Sequence, residues 1–147
     1  MKRLIKQNGL GQMYLDDLQE DIVTAYHWTS AENYYSILEN GLINGGGTSY
    51  QKNNWGTIPG IWVTLKKNTA VTYAKQAAEG YKSLGNEDEF TGYGVVFEFQ
   101  VNKQYLSDED SGVMHNFKCT CDITPDILKS GHAYIINIDD NSEYQDY

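Results

Sequence analysis

The chain has a single arginine, Arg3, two prolines, two cysteines and no long apolar run. Twenty acidic residues face eleven basic ones, for a formal net charge of −9. Nucleic acid needs clustered Lys and Arg to meet its phosphates, so it is not expected as a partner. An anionic membrane surface is excluded on the same ground, whereas an acidic surface can attract a basic protein. No stretch approaches the roughly 18 apolar residues of a membrane span. The opening Met1-Lys2-Arg3-Leu4-Ile5-Lys6 turns polar too soon for a signal peptide. A cytoplasmic location is expected. Cys119 and Cys121 stand two apart in a strand-like stretch, which points both thiols the same way. They read as reduced thiols of a reducing compartment rather than a bridge. With His115 they make too weak a pattern to assign a metal.

What the chain has in plenty is tyrosine, 12 residues, and glycine, 14 residues, a composition that suits an aromatic-lined pocket joined by turns. Its 147 residues fit one domain, residues 1–147, able to bury about two-thirds of its unfolded surface. Residues 1–22 read as a helical or irregular lead-in, and 139–147 as a frayed acidic tail. Val23 to Trp28 is β-rich and puts His27 near a strand end. Thr29-Ser30-Ala31-Glu32 matches a capping box that would open a helix running to Asn40, with Gly41 as its stop. Residues 44–58, with Gly45-Gly46-Gly47, read as a loop without a phosphate-cradling signature. Gly60 to Thr64 predicts a strand. Asn68 would cap a helix from Thr69 to Glu79, closed by Gly80. Gly94 to Val101 is the strongest strand, followed by an acidic turn at 107–110 and a strand from Asn116 to Cys121. A break at Thr124-Pro125 precedes a last strand, Ala133 to Ile138. Early helices and late strands predict an α+β domain.

Three segments carry a family resemblance. Tyr26-His27-Trp28-Thr29-Ser30, then Ser36 to Ile43, resembles the histidine-containing opening of ADP-ribosyltransferases of the diphtheria-toxin and poly-ADP-ribose-polymerase type. Gly60 to Thr64, with Ala70 to Ala74 behind it, resembles their aromatic block. Val95 to Val101, Leu106 and Asn116 to Leu128 resemble their closing block. The resemblance implies a fold of two packed small antiparallel or mixed sheets with flanking helices. It implies NAD as substrate and a mono-ADP-ribosyltransferase acting on a protein. A small acidic chain of this kind would suit a phage-borne or mobile-element effector.

By the same resemblance His27 bonds a ribose hydroxyl of NAD, and the backbone of Trp28 clamps the nicotinamide amide. Thr29 either bonds that amide or caps the helix. Trp62 and Tyr73 stack on the nicotinamide cation. From pattern alone both rings read first as core aromatics between a strand and a helix, and it is the resemblance that makes them stacking residues. Asn116 occupies the position where the family carries its catalytic glutamate. An amide can still bond the ribose, but it cannot act as a base. His27, Tyr73 and Asn116 are therefore the expected catalytic set, with Glu98 and Glu109 as the nearest alternative acids. Family members lacking that glutamate either transfer single ADP-ribose units or are inactive. The alternative function is thus a degenerate binder of NAD or ADP-ribose that blocks a partner. An RNA 2′-phosphotransferase would need several arginines around its phosphate, and Arg3 alone does not supply them.

Overall fold

A computed structural model describes residues 4–6, 13–14, 21–43, 60–107 and 116–147. Two short strands, β1 (Leu4–Lys6) and β2 (Met13–Tyr14), pair antiparallel. The expectation of a helical or irregular lead-in is corrected there. The remaining strands are β3 (Ile22–Ser30), β4 (Ile61–Thr64), β5 (Tyr93–Asn102), β6 (Leu106–Ser107), β7 (Asn116–Cys119), β8 (His132–Asn137) and β9 (Glu143–Gln145). They form one sheet in the order β6-β7-β4-β3-β5-β8-β9, every neighbour antiparallel. The α+β class holds, but the two packed small sheets expected do not occur among the described residues. A single sheet of seven strands takes their place.

That sheet has a weak joint. β3 pairs with β5 along its whole length, Ile22 to Ser30, whereas β3 and β4 share one register pair, Tyr26 with Thr64.

The alternation of β5 explains why both sheet faces are covered. Val95, Phe97, Phe99 and Val101 point to one face, where they meet Tyr34, Ile37, Ile123 and Leu128. Helices α1 (Tyr34–Asn40) and α3 (Pro125–Ser130) belong to that side. Burying a side chain such as Phe97 or Phe99 contributes about 1.5–3 kcal/mol. Val96 points the other way, with Trp28 and Ile136, toward helix α2 (Lys67–Ser83). Ala70, Ala74 and Ala78 recur every four residues, so they form one stripe of small, fully buried side chains. This stripe lets the helix lie close to the sheet.

Several local expectations are corrected. The capping box does not form: Thr29 and Ser30 stay in β3, and a 3-10 turn, Ala31–Asn33, precedes α1. The Thr29 hydroxyl instead accepts from Asn33 Nδ2 at 3.0 Å. Helix α2 runs from Lys67 to Ser83, so Asn68 does not cap it and Gly80 does not close it. The break at Thr124-Pro125 is the start of α3, where the Thr124 hydroxyl accepts from the Ile127 amide and Pro125 loses nothing by lacking an N–H. The acidic tail is not frayed. β9 pairs with β8, the Tyr147 hydroxyl donates to the Leu128 carbonyl at 2.9 Å, and the Tyr34 hydroxyl donates to Asp146. Gly41 does end α1, at φ +77°, and a side chain there would strike the Ile123 carbonyl. The glycine-rich stretch 44–58 and the acids of 108–110 lie outside the described residues.

Candidate functional site

At the weak joint the imidazole of His27 takes over where the β3–β4 ladder stops. Its Nδ1 lies 2.7 Å from the Trp62 carbonyl. A carbonyl can only accept, so Nδ1 carries the proton and Nε2 is left as an acceptor. Burial holds this ring below the ordinary histidine value of 6.5, and the Trp62 hydrogen bond opposes part of that shift. His27 is therefore a neutral imidazole of defined tautomer at neutral pH.

Trp28 follows His27 with ring centroids 5.7 Å apart, and its side chain fills the α2 side of the sheet. There it meets Tyr73, ring centroids 4.7 Å apart and planes at 49°. The Tyr73 hydroxyl in turn accepts from Asn116 Nδ2 at 2.9 Å. Asn116 pairs in register with Thr64 and is buried, and its Oδ1 has no partner. An orphaned buried acceptor costs roughly 1–3 kcal/mol, so a donor from a ligand would be welcome there. Trp62, half-buried, carries the ammonium of Lys118 over its ring at 5.2 Å. Lys118 is itself buried and pairs in register with Trp62.

His27, Trp28, Trp62, Tyr73 and Asn116 thus share one region, reached from three distant stretches of chain. Thr29 is buried, with its oxygen engaged by Asn33. No protein-family model matches the chain, and no curated protein resembles it.

Glu98 sits in the same row across the sheet, but elsewhere in it. Register runs from Glu98 to Tyr26, Thr64 and Asn116, three strand spacings, or about 14 Å at ~4.8 Å each. A carboxylate there cannot serve a reacting atom held beside Asn116. Nor does it face open solvent. It is half-buried, accepts from the Tyr134 hydroxyl at 3.3 Å and lies 3.9 Å from His132. Burial and this carboxylate push the Tyr26 phenol up to about 12. Glu109 lies outside the described residues.

Among the described residues, no group of three or more His, Cys, Asp and Glu side chains is arranged to hold a metal ion. Cys119 and Cys121 are free thiols with sulfurs 3.4 Å apart, and burial pushes the Cys119 thiol up to about 12. A thiol held protonated in this way is a poor nucleophile. Among the described residues, no helix is long and apolar enough to cross a membrane.

Two members of this site were not foreseen. The Trp28 side chain was expected to contribute only backbone, yet it is the ring partner of Tyr73. Lys118 carried a weak signal, a charged residue between the apolar Phe117 and Cys119. Its meaning depends on the register with Trp62.

Proposed function

We propose that this chain is a NAD-dependent mono-ADP-ribosyltransferase acting on a protein target, with NAD seated at the β3–β4 joint. The observation that carries the reading is the Asn116–Tyr73 hydrogen bond with its unpartnered Asn116 oxygen. It joins two of the three segments that resemble the family, while the His27–Trp62 bond ties in the third. The reading takes the α+β architecture as that family's fold, in a form whose sheet stays continuous through one β3–β4 pair.

Each residue has a task its chemistry suits. His27 Nε2 accepts a ribose hydroxyl. Trp62 already attracts an ammonium to its face, and the same ring quadrupole would attract the flat nicotinamide cation once Lys118 swings aside. One face of Tyr73 is taken by Trp28, so Tyr73 acts mainly through its hydroxyl, orienting Asn116. Asn116 Oδ1 then accepts from the nicotinamide ribose. In the transfer, the bond from ribose C1′ to nitrogen breaks and its electron pair leaves with nicotinamide. The target's nucleophile bonds to C1′ and gives up its proton to solvent water.

An amide provides no negative charge for the oxocarbenium-like state, and charge preorganised at that position is worth several kcal/mol. Turnover is therefore expected to be slow. The neutrality of Asn116 also favours a second reading, a non-catalytic binder of NAD or ADP-ribose. Measuring nicotinamide release from NAD by the native chain, Asn116→Glu and Asn116→Ala separates the two. The transferase reading expects the Glu variant to be faster and the Ala variant slower, with NAD affinity by calorimetry nearly unchanged in the latter. Absence of release in all three, with binding intact, establishes the binder. Absence of NAD binding removes both.

A further inference from the structure

On the opposite sheet face from Trp28 and Tyr73, the chain builds a concavity. Tyr34, Tyr35, Tyr93 and Tyr144 line an open cleft of about 320 Å³, together with the carboxylates of Glu89 and Asp146. Three separate segments meet here: α1, the turn before β5, and the β9 end of the chain. Tyr34 is the fixed wall. It is buried, stacks on Phe97 with centroids 5.6 Å apart, and donates its hydroxyl to Asp146. Burial and that hydrogen bond push the Tyr34 phenol well above its ordinary value, so it stays a donor. Asp146 is thereby held in the lining, and a carboxylate accepts from several donors at once, so Tyr34 does not saturate it. Tyr35, tilted against Tyr34 at 5.3 Å, and Tyr144 are the exposed rings, 67% and 57% accessible.

The chemistry of this lining selects its ligand. An anion would meet two carboxylates on a chain of net charge −9. A neutral apolar group would strip water from those carboxylates and leave them unpaired, which is costly. A hard metal ion wants six or more oxygen ligands, which two carboxylates do not supply. A cation with a flat face satisfies both parts of the lining, stacking on tyrosine while hydrogen-bonding carboxylate, and guanidinium does this better than ammonium. The volume lies at the low end of the roughly 300–1,000 Å³ typical of ligand pockets, suiting one long side chain rather than a dinucleotide. The overall acidity would also draw a basic protein surface toward the cleft.

We propose that this cleft is a recognition site for an arginine side chain of a protein partner. It does not rest on the NAD reading, since none of the residues lining the cleft belongs to the proposed NAD site.

The test follows the tyrosine ring signals of the labelled protein by NMR during titration with acetyl-Gly-Arg-Gly-amide. The same peptide carrying citrulline, neutral but nearly isosteric, is the charge control, and free agmatine tests for a small-molecule ligand. Saturable shifts at Tyr35 and Tyr144 are expected with the arginine peptide, and affinity at least about tenfold weaker with citrulline. Glu89→Gln and Tyr144→Ala, both at exposed positions, should each weaken binding several-fold without moving the thermal midpoint. The proposal is overturned if the arginine peptide causes no shifts, if citrulline binds as well, or if both variants keep native affinity. It is also overturned if agmatine binds and the peptide does not, since the cleft would then serve a free cation.

Discussion

Replacing Gly94 by alanine tests how closely α2 must lie on the sheet. Gly94 pairs with Ser30 across β5 and β3, and a Cβ at this position would stand 2.6 Å from the Ala74 carbonyl oxygen and 2.8 Å from its carbon. Ordinary contact begins near 3.4 Å, so helix and strand must part by roughly 0.8 Å. The obstacle is backbone, which has no rotamer to escape into. Ala70, Ala74 and Ala78 are all essentially inaccessible, so lifting the helix loosens the whole seam. Overpacking of this kind costs about 1–3 kcal/mol. In a domain of this size each kcal/mol lowers Tm by about 2–4 °C, giving a fall of about 2–12 °C. Tyr73 is the residue before Ala74, so its 2.9 Å bond from Asn116 should lengthen, and NAD affinity should drop with stability. Gly80→Ala is the control. It lies inside the same helix with nothing near its prospective Cβ and should stabilise by about 0.5–1 kcal/mol. Thermal unfolding of both variants decides the matter. A native Tm for Gly94→Ala would refute the close-packing argument.

His27 gives the fold a pH dependence of definite sign. Its folded pKa is depressed, so the unfolded chain binds the proton first, and stability present above the ordinary 6.5 is lost as pH falls below it. Urea midpoints should decline between neutral pH and about pH 5, and His27→Gln should flatten that part of the decline; an equally steep slope in the variant would locate the titration elsewhere. NAD stacked on Trp62 should quench indole fluorescence, and Trp62→Phe should remove much of the quenching, leaving the signals of Trp28 and Trp55. Full quenching in that variant would make Trp62 a core ring only.

How much of this was legible beforehand varies by element. The strand at β5 was readable because its alternation of Val95, Phe97, Phe99 and Val101 is a local pattern with period two. The stop at Gly41 was readable because a positive φ favours glycine at that one position. Thr124-Pro125 carried a helix-start signal as clear as the strands around it, and taking it only as a break missed α3. Thr29 to Glu32 carried an equally good capping pattern, yet pairing of Thr29 with Val95 and Ser30 with Gly94 kept both residues extended. Tertiary hydrogen bonds outweighed a local preference worth about 1 kcal/mol.

The sequence by itself determined the α+β class, the strands that hold His27, Trp62 and Asn116, and the helix that holds Tyr73. Those follow from spacings of a few residues, where each side chain's neighbours are neighbours in the chain. Only the tertiary structure decided that the sheet is single, that β3 and β4 meet at one pair, and that His27 reaches the Trp62 carbonyl there. It also decided that Trp28 turns its ring onto Tyr73, that Lys118 covers Trp62, and that the tail closes the sheet as β9. Each of these depends on register between segments far apart in the chain, and a shift of one residue would send every side chain of a strand to the opposite face.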